Sequence, residues 1–449
     1  MPHQDQGRSA GACAPAMAAA LAWLVAPRMF GSLAFRRNCR WTPASLVRAA
    51  LVWAWSEEVA LTDRFLTARQ TIAHTSDRQA ELTVSYQAFV KLLRRHSPSL
   101  LLAVTTALRR RLREGLSHSY RVAGYLVFGV DGTRIEVPRT AANQEALGVD
   151  LARTRRQGRR RRVDQKKADS PSIWLTTLWH VGAGLPWAWQ RGTSTSSERD
   201  HLRQLLAWLP EHSLLTADAG FTGYEFWKDL LAARHDFLIR VGRNVRLLRR
   251  LGVVRESAGR VYLWPETAAL RHQPPLVLRL VVAHGGRHPI YLVTSVLSGR
   301  ALSDRQLIEL YRARWGIEVF YRTFKQTFGR RKLRCGRPDN ALLELDWSLV
   351  ALWAACLYAK HQQAQRGADV TRTSAAGVLR ILRRAIRDVH LPIASLVAAA
   401  LVDSYNRTAK DSRDYPKKKS NFPGHSPPII RIATKKLARK AQQFKRLTA

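Results

Sequence analysis

The sequence predicts an α/β fold in which helices cover a mixed sheet, and three observations support this class. Apolar runs typical of buried strands alternate with helical segments between residues 125 and 243. Helical periodicity prevails on both flanks, up to residue 118 and again beyond residue 339. Residues 244–298 contain short alternating stretches with Gly and Pro breaks, which is typical of a β-rich insertion.

The N-terminal flank shows clear helix signals. Thr42-Pro43 is typical of a cap followed by proline at the first helical position. Ser97-Pro98 is predicted to end one helix and open another. The apolar run at residues 15–26 resembles the core of a signal peptide, but Asp5 precedes it, so a first helix is the better interpretation.

The middle of the chain alternates strands and helices. YLVFGVDG, from Tyr125, ends in a turn signal and TRIEV follows it, which predicts a hairpin. SLLTADAGF is predicted as a buried strand that ends at Asp218. A helix around residues 223–234 and the strand DFLIRV follow. A single long helix is predicted from Asp304 to about Gly329.

The charge balance identifies the class of partner. Seventy-four Lys and Arg face 33 Asp and Glu, a formal net charge of +41. Such an excess repels itself in a compact fold unless a polyanion neutralises it. DNA or RNA fits best, because each neutralised phosphate releases condensed counterions. No long basic amphipathic helix and no membrane-spanning apolar run is recognised, so a membrane partner is disfavoured.

Positive charge is concentrated in three segments. Arginines of the N-terminal helices form either a solvated face or a contact with DNA ends. Residues 139–171 are predicted as a loop, with nine Arg or Lys between Arg153 and Lys167, either a disordered charge run or a phosphate-contacting arm. Residues 415–449 carry ten Lys or Arg and no acidic residue, which predicts a flexible tail that contacts DNA.

The four cysteines form no CxxC pair and no zinc-like cluster with histidine. Isolated reduced thiols are typical of cytosolic proteins. Together with the charge, they predict a cytosolic protein that binds nucleic acid.

The segment YRARWGIEVFYRTFK carries the most specific pattern. Tyr311, Arg314, Glu318 and Lys325 lie at offsets 0, 3, 7 and 14, which at about 100° per residue form one stripe of a helix. A coiled-coil seam would be apolar at these offsets. A carboxylate, two cations and a phenol on one stripe can instead grip a phosphate beside a metal ion.

Three acidic residues stand out in a chain where acids are scarce. Asp131 and Asp218 each end a predicted strand, and Glu318 lies on the helix that follows the last strand. Singly, each fits a turn aspartate or a surface glutamate. Together they can hold a pair of divalent cations, which cut phosphodiesters when about 4 Å apart. Carboxylate oxygens are the ligands that Mg²⁺ prefers.

These motifs resemble a known family. Asp131-Gly132-Thr133, the ADAGF segment around Asp218, and the Y-(2)-R-(3)-E-(6)-K spacing of the stripe are similar to the three signature regions of DDE transposases of the insertion-sequence-four family. The likeness covers about residues 120–330. It implies a ribonuclease-H-like mixed sheet flanked by helices, with a β-rich insertion and helical N- and C-terminal regions.

The resemblance also implies an activity and its residues. Asp131, Asp218 and Glu318 would be catalytic and bind two Mg²⁺, for which Mn²⁺ can substitute. Water would nick a transposon end, and the freed 3′-OH would form a hairpin and later attack target DNA. Tyr311, Arg314 and Lys325 would hold DNA phosphates. Trp264 is the candidate to hold a flipped base, with a core tryptophan as the alternative.

The implied partners are double-stranded DNA, both as inverted-repeat ends and as target, and a second copy of the chain in the synaptic complex. No membrane partner is expected. Two other functions stay open: a Mg²⁺-dependent ribonuclease-H-like nuclease that cuts without joining, and a non-catalytic DNA-binding protein descended from a transposase.

The predicted organisation has six parts. They are residues 1–118, a helical N-terminal domain and candidate for binding DNA ends; 119–243, the first part of the catalytic core; 244–298, the β-rich insertion; 299–338, the second part of the core; 339–410, a helical C-terminal region; and 411–449, a basic tail.

Overall fold

The computed structural model describes residues 16–31, 33–75, 84–148, 170–284, 288–401 and 426–447. Two compact units share the chain: Met1–Gly115 with Thr323–Asp403, and Leu116–Arg322 with Ser404–Ala449. The basic run between Arg153 and Lys167, predicted as a phosphate-contacting arm, lies outside the described residues.

The described α-helices, in chain order, are α1 (Ala16–Leu24), α2 (Pro43–Trp55), α3 (Leu61–Thr75), α4 (Tyr86–Gly115), α5 (Ser117–Tyr120), α6 (Ala141–Leu147), α7 (Glu198–Leu205), α8 (Tyr224–Ala232), α9 (Glu266–Leu270), α10 (Asp304–Ala313), α11 (Gly316–Arg322), α12 (Pro338–Gln365), α13 (Ala375–Arg387), α14 (Ile393–Ala399) and α15 (Lys435–Ala441). The described strands are β1 (Leu126–Glu136), β2 (Ser172–His180), β3 (Leu185–Gly192), β4 (Ser213–Ala217), β5 (Asp236–Val241), β6 (Arg246–Arg249), β7 (Arg260–Leu263), β8 (Leu276–Ala283), β9 (Ile290–Thr294) and β10 (Ile429–Ile432).

The first unit is helical, and α12 forms its centre. This helix is long and apolar enough to cross a membrane by length and composition, which the sequence prediction missed, but 94% of its apolar window is buried. It packs against α2, α4, α13 and α14, as a core helix does. Arg64 of α3 and Glu344 of α12 form a buried ion pair at 3.3 Å.

Helix caps in the first unit follow the sequence signals only in part. Thr42 caps α2 by accepting a hydrogen bond from the Ser45 amide at 3.1 Å, and Pro43 is the first helical residue, as predicted. The break predicted at Ser97-Pro98 is wrong, because α4 runs through Pro98. Burial of Leu93 and Leu100 on either side continues one apolar stripe through the proline.

The second unit is built on a ten-stranded mixed sheet. Its strand order is β10-β6-β7-β8-β9-β5-β4-β1-β2-β3. Strands β1, β4 and β5 are parallel, and β2 is antiparallel to β1. The order β3-β2-β1-β4-β5 is that of a ribonuclease-H-like sheet, so the predicted α/β class with a mixed sheet flanked by helices is confirmed. Helix α8 packs Trp227 on Phe237 of β5, with ring centroids 5.0 Å apart.

The β-rich segment does not form a sheet of its own. Strands β6 to β9 extend the same sheet through the antiparallel pair β5–β9. The tail predicted to be flexible adds strand β10, which pairs in parallel with β6, and helix α15. Ile429, Ile430 and Ile432 supply the β-branched residues that favour this strand.

Three local predictions are corrected. The hairpin predicted after Tyr125 is a single strand, β1, because its whole second half pairs with β2. Part of the loop predicted at residues 139–171 is helix α6, which Thr140 caps. The long helix predicted from Asp304 is divided at Arg314 and Trp315 into α10 and α11, and a π-helical turn follows at Thr323–Thr327.

Candidate active site

Asp131 and Asp218 lie side by side at one edge of the parallel strands. The β1–β4 pairing ends at Gly129 opposite Thr216, and each aspartate follows two residues later. Adjacent strands lie about 4.8 Å apart, so equal offsets from the last pair bring the two residues together. Asp131 is thus a mid-strand residue of β1, whereas Asp218 directly follows the end of β4.

Both aspartates are oriented by backbone amides. Asp131 Oδ1 accepts a hydrogen bond from the amide of Gly132 at 2.9 Å. Asp218 Oδ1 accepts one from the amide of Gly220 at 2.8 Å and caps a short 3₁₀ turn. Each carboxylate keeps its second oxygen for another partner.

The segment that joins α10 to α11 crosses this edge of the sheet. The side chain of Arg314 lies over Gly129, where an added Cβ would be 3.2 Å from Arg314 Cγ. Arg314 Nη2 lies 3.4 Å from Glu318 Oε1. The hydroxyl of Tyr321, on α11, donates to the carbonyl oxygen of Asp131 at 2.8 Å. These contacts bring Glu318 to the two aspartates.

The packing of α11 on the sheet is close at two further points. Phe320 packs on Trp179 of β2, with ring centroids 5.1 Å apart. Gly316 faces the same indole, and a Cβ there would be 3.0 Å from Trp179 Nε1. A larger residue than glycine would push the helix that carries Glu318 away from the sheet.

Burial, together with neighbouring carboxylates, raises the pKa of Asp131 and of Glu318. Burial raises the pKa of Asp131 to about 6, and the charges of Asp218 and Glu318 add to it, while Arg314 opposes the shift. Burial also raises the pKa of Glu318, again opposed by Arg314. Among the described residues, Arg314 is the buried cation that opposes both shifts.

Tyr311 and Arg314, predicted to hold phosphate, lie together. The Arg314 guanidinium lies over the Tyr311 ring, with its carbon 5.4 Å from the centroid. Its side chain is 9% exposed, and Nε has no hydrogen-bond partner among the described residues. Burial raises the pKa of the Tyr311 phenol. The buried guanidinium thus keeps a donor for an anion.

The two remaining predicted residues are placed elsewhere. Lys325 belongs to the π-helical turn of the first unit, so its phosphate role stays a prediction. Trp264 is 5% exposed, its indole nitrogen donates to the carbonyl oxygen of Gln273 at 2.8 Å, and its ring packs edge-on against Phe444. In this structure Trp264 is a core tryptophan, the alternative given above, and its base-holding role stays a prediction.

Sequence reasoning missed one residue of the site. Glu198, the first residue of α7, has its pKa raised to about 7 by burial and by the charges of Asp131 and Asp218, against the effect of Arg134. An acidic residue after Ser197 is typical of any helix start, so the sequence contained no signal for its second role.

The donor set suits a hard divalent cation. Asp131, Asp218, Glu198 and Glu318 offer only oxygen ligands, and nearby carboxylates contribute to the raised pKa values of Asp131 and Glu198. Within the described ranges, no three Asp, Glu, His or Cys side chains are already gathered as metal ligands. The chemistry of these side chains fits such an ion. In the structure the four carboxylates are not yet close enough together to form a coordination shell.

Comparison with known proteins gave two matches. The family model described as a transposase DDE domain matches residues 123–354, more than half of the chain. A cryo-EM structure of a piggyBac transposase synaptic complex with hairpin DNA is similar at a TM-score of 0.39 and 12% identity, over 91% of this chain and 88% of that chain. No curated protein sequence matches the chain. The matched range of the family model includes Asp131, Asp218, Glu198 and Glu318.

Proposed function

The chain belongs to the transposase DDE domain family, and on that premise we propose that it is a cut-and-paste DNA transposase of the insertion-sequence-four type. The observation that carries the proposal is the meeting of three chain segments at one sheet edge. Asp131 and Asp218 come from neighbouring parallel strands, and Glu318 comes from the helix that Tyr321 attaches to Asp131.

DDE transposase domains use divalent metal ions, and we propose that Asp131, Asp218 and Glu318 hold two Mg²⁺ here. Bound Mg²⁺ would activate the attacking water and stabilise the leaving oxygen. The protein's own part is positional. The two strand carboxylates are held by the amides of Gly132 and Gly220, and the rigid sheet fixes their separation.

The phosphate of the scissile strand would be held by Arg314 and Tyr311. The buried guanidinium pairs with Glu318 and has an unpartnered Nε, so it can bind a phosphate oxygen and neutralise charge at the same point. A phosphate-binding role for Lys325, on the π-helical turn, is proposed from the spaced motif alone. Hairpin formation and strand transfer at inverted-repeat ends follow from this family assignment as proposals of the same kind.

The proposed partners are inverted-repeat ends, target DNA and a second copy of the chain, because two ends need two catalytic sites. The net charge of +41 supports a polyanionic partner. The proposed location is the bacterial cytoplasm, at the nucleoid.

The test is a cleavage assay in which the DNA that flanks the reading frame is the substrate. Wild type and Glu318→Gln are compared. End binding should be retained, while Mg²⁺-dependent nicking should fall by about a hundredfold or more, since a metal ligand is lost. Glu309→Gln is the matched control, because Glu309 lies on neighbouring α10 with its side chain 55% exposed. Nicking at the wild-type rate in Glu318→Gln would refute the metal-ligand role.

Two other functions give different results in the same assay. A nuclease with the same core would nick but yield no joined product in a strand-transfer reaction. A non-catalytic DNA-binding protein would give neither product. Joined products from wild type support the transposase over both.

A further inference from the structure

Glu198 lies close to Gly132 and Gly220, the glycines that follow the two site aspartates. A Cβ added to Gly132, the residue after Asp131, would lie 2.8 Å from Glu198 Cδ and 2.9 Å from Cγ. A Cβ on Gly220, two residues after Asp218, would lie 3.8 Å from Glu198 Oε2. The carboxylate of Glu198 therefore occupies the space between the two glycines that follow the aspartates.

This carboxylate is partly buried and has no direct partner among the described residues. It makes no hydrogen bond or ion pair with the other described residues, although the chain carries 74 Lys and Arg. The charges that act on it most are those of Asp131 and Asp218, which repel it, and of Arg134, which attracts it. Burying an unpaired carboxylate beside two others is unfavourable unless a cation joins them.

We propose that Glu198 is a further carboxylate ligand of the divalent metal ion held by Asp131 and Asp218. The inference rests on the proposed function, because it presumes that this site binds a metal ion. It also explains one glycine: Gly132 leaves room for a carboxylate that comes from the start of α7. Glu198 would join the ligand set from helix α7, whereas Asp131 and Asp218 come from strands β1 and β4.

A structural role for Glu198 predicts a different result. A negative charge in the first turn of α7 interacts favourably with the positive end of the helix dipole. If that were its only role, Glu198→Gln would lower the stability of the metal-free protein. A metal ligand that repels two neighbouring carboxylates predicts the reverse, because its neutralisation removes repulsion.

The experiment is calorimetric titration of the full chain with Mn²⁺, without DNA. Glu198→Gln should bind Mn²⁺ about tenfold or more weakly, and its metal-free melting temperature should equal or exceed that of wild type. Glu211→Gln, which changes an exposed glutamate of the same unit, should match wild type in both readouts. Affinity within about twofold of wild type, or a lower metal-free melting temperature, would overturn the inference.

Asp131→Asn separates this inference from the proposed function. Weaker Mn²⁺ binding in Asp131→Asn but not in Glu198→Gln would overturn the ligand role of Glu198 alone. Unchanged binding in both variants would overturn the metal site itself.

Gly132→Ala gives a second, independent measurement. The three atoms nearest to a Cβ at Gly132 all belong to Glu198, so the added methyl should weaken Mn²⁺ binding by displacing that side chain. In a Glu198→Ala background the same methyl should have no further effect. Equal losses in both backgrounds would contradict the proposed placement.

Discussion

At the scale of single residues, the affinity of the site for a cation depends on which carboxylates have a nearby positive charge. Among the described residues, Arg314 is the cation that acts on both Asp131 and Glu318, and it opposes the upward pKa shift of each. Among the described charges that act on Glu198, that of Arg134 lowers its pKa.

His180 gives a pH test of the sheet that supports the site. It is fully buried in β2, stacks on Tyr120, and its Nδ1 accepts from the Ala183 amide at 3.0 Å. Burial lowers its pKa to about 4, from 6.5. Between those values the unfolded chain binds more protons, so the free energy of unfolding should fall as the pH falls, by up to about 3 kcal/mol.

The measurement is urea unfolding at several pH values between about 4 and 6.5. His180→Asn should flatten the pH dependence while lowering stability overall. His272→Asn, at an exposed histidine, is the control and should keep the wild-type slope. An unchanged slope in His180→Asn would show that another group causes the pH dependence.

At the scale of elements, one hydrogen bond fixes α11 on β1. Tyr321 is 6% exposed, and its hydroxyl donates to the carbonyl oxygen of Asp131. Tyr321→Phe keeps the ring but leaves this carbonyl without that donor, which should lower the free energy of unfolding by about 1–2 kcal/mol. Because Glu318 lies one turn earlier on α11, metal-dependent nicking should fall as well.

The matched control is Tyr291→Phe. The Tyr291 hydroxyl forms no hydrogen bond with other described residues, so this variant should match wild type in stability and nicking. If both tyrosine variants behaved alike in denaturant titration and in the nicking assay, the Tyr321 contact would have no positioning role.

The sequence predicted which segments form helices and which form strands, but it did not predict where a strand or helix continues and where it breaks. Apolar runs and the Thr42 cap identified strands and helices, because those signals are local. Asp131-Gly132 also has a local turn signal, yet pairing with β2 keeps the strand extended through both residues. The division between α10 and α11 depends on the close contact of Gly316 with Trp179, which no local pattern contains.

The candidate site shows the same limit. Asp131, Asp218 and Glu318 could be identified because each ends a strand predicted from the sequence or lies in a spaced motif. Glu198 could not, because its relation to Gly132 arises only when α7 packs against β1 and β2. The four residues of the stripe would lie on one face only if a single regular helix ran from Tyr311 to Lys325. The break after Ala313 and the π-helical turn interrupt that helix.

At the scale of the whole molecule, net charge governs DNA affinity. With a net charge of +41, binding should depend steeply on salt. If 6–10 phosphates are contacted, affinity should fall about 10³-fold or more between about 50 and 200 mM salt. Fluorescence anisotropy of labelled duplex DNA over a KCl series measures this, and a slope of log affinity against log salt near zero would contradict it.

The central claim is that carboxylates from distant parts of the chain hold one divalent metal site. Iron-directed cleavage tests it without any knowledge of the DNA ends: Fe²⁺ and ascorbate are added to the full chain, and the cut sites are mapped by mass spectrometry. The account predicts cuts near residues 131, 198, 218 and 318, all suppressed by excess Mg²⁺. Cuts confined to other parts of the chain, or cuts that Mg²⁺ does not suppress, would contradict it.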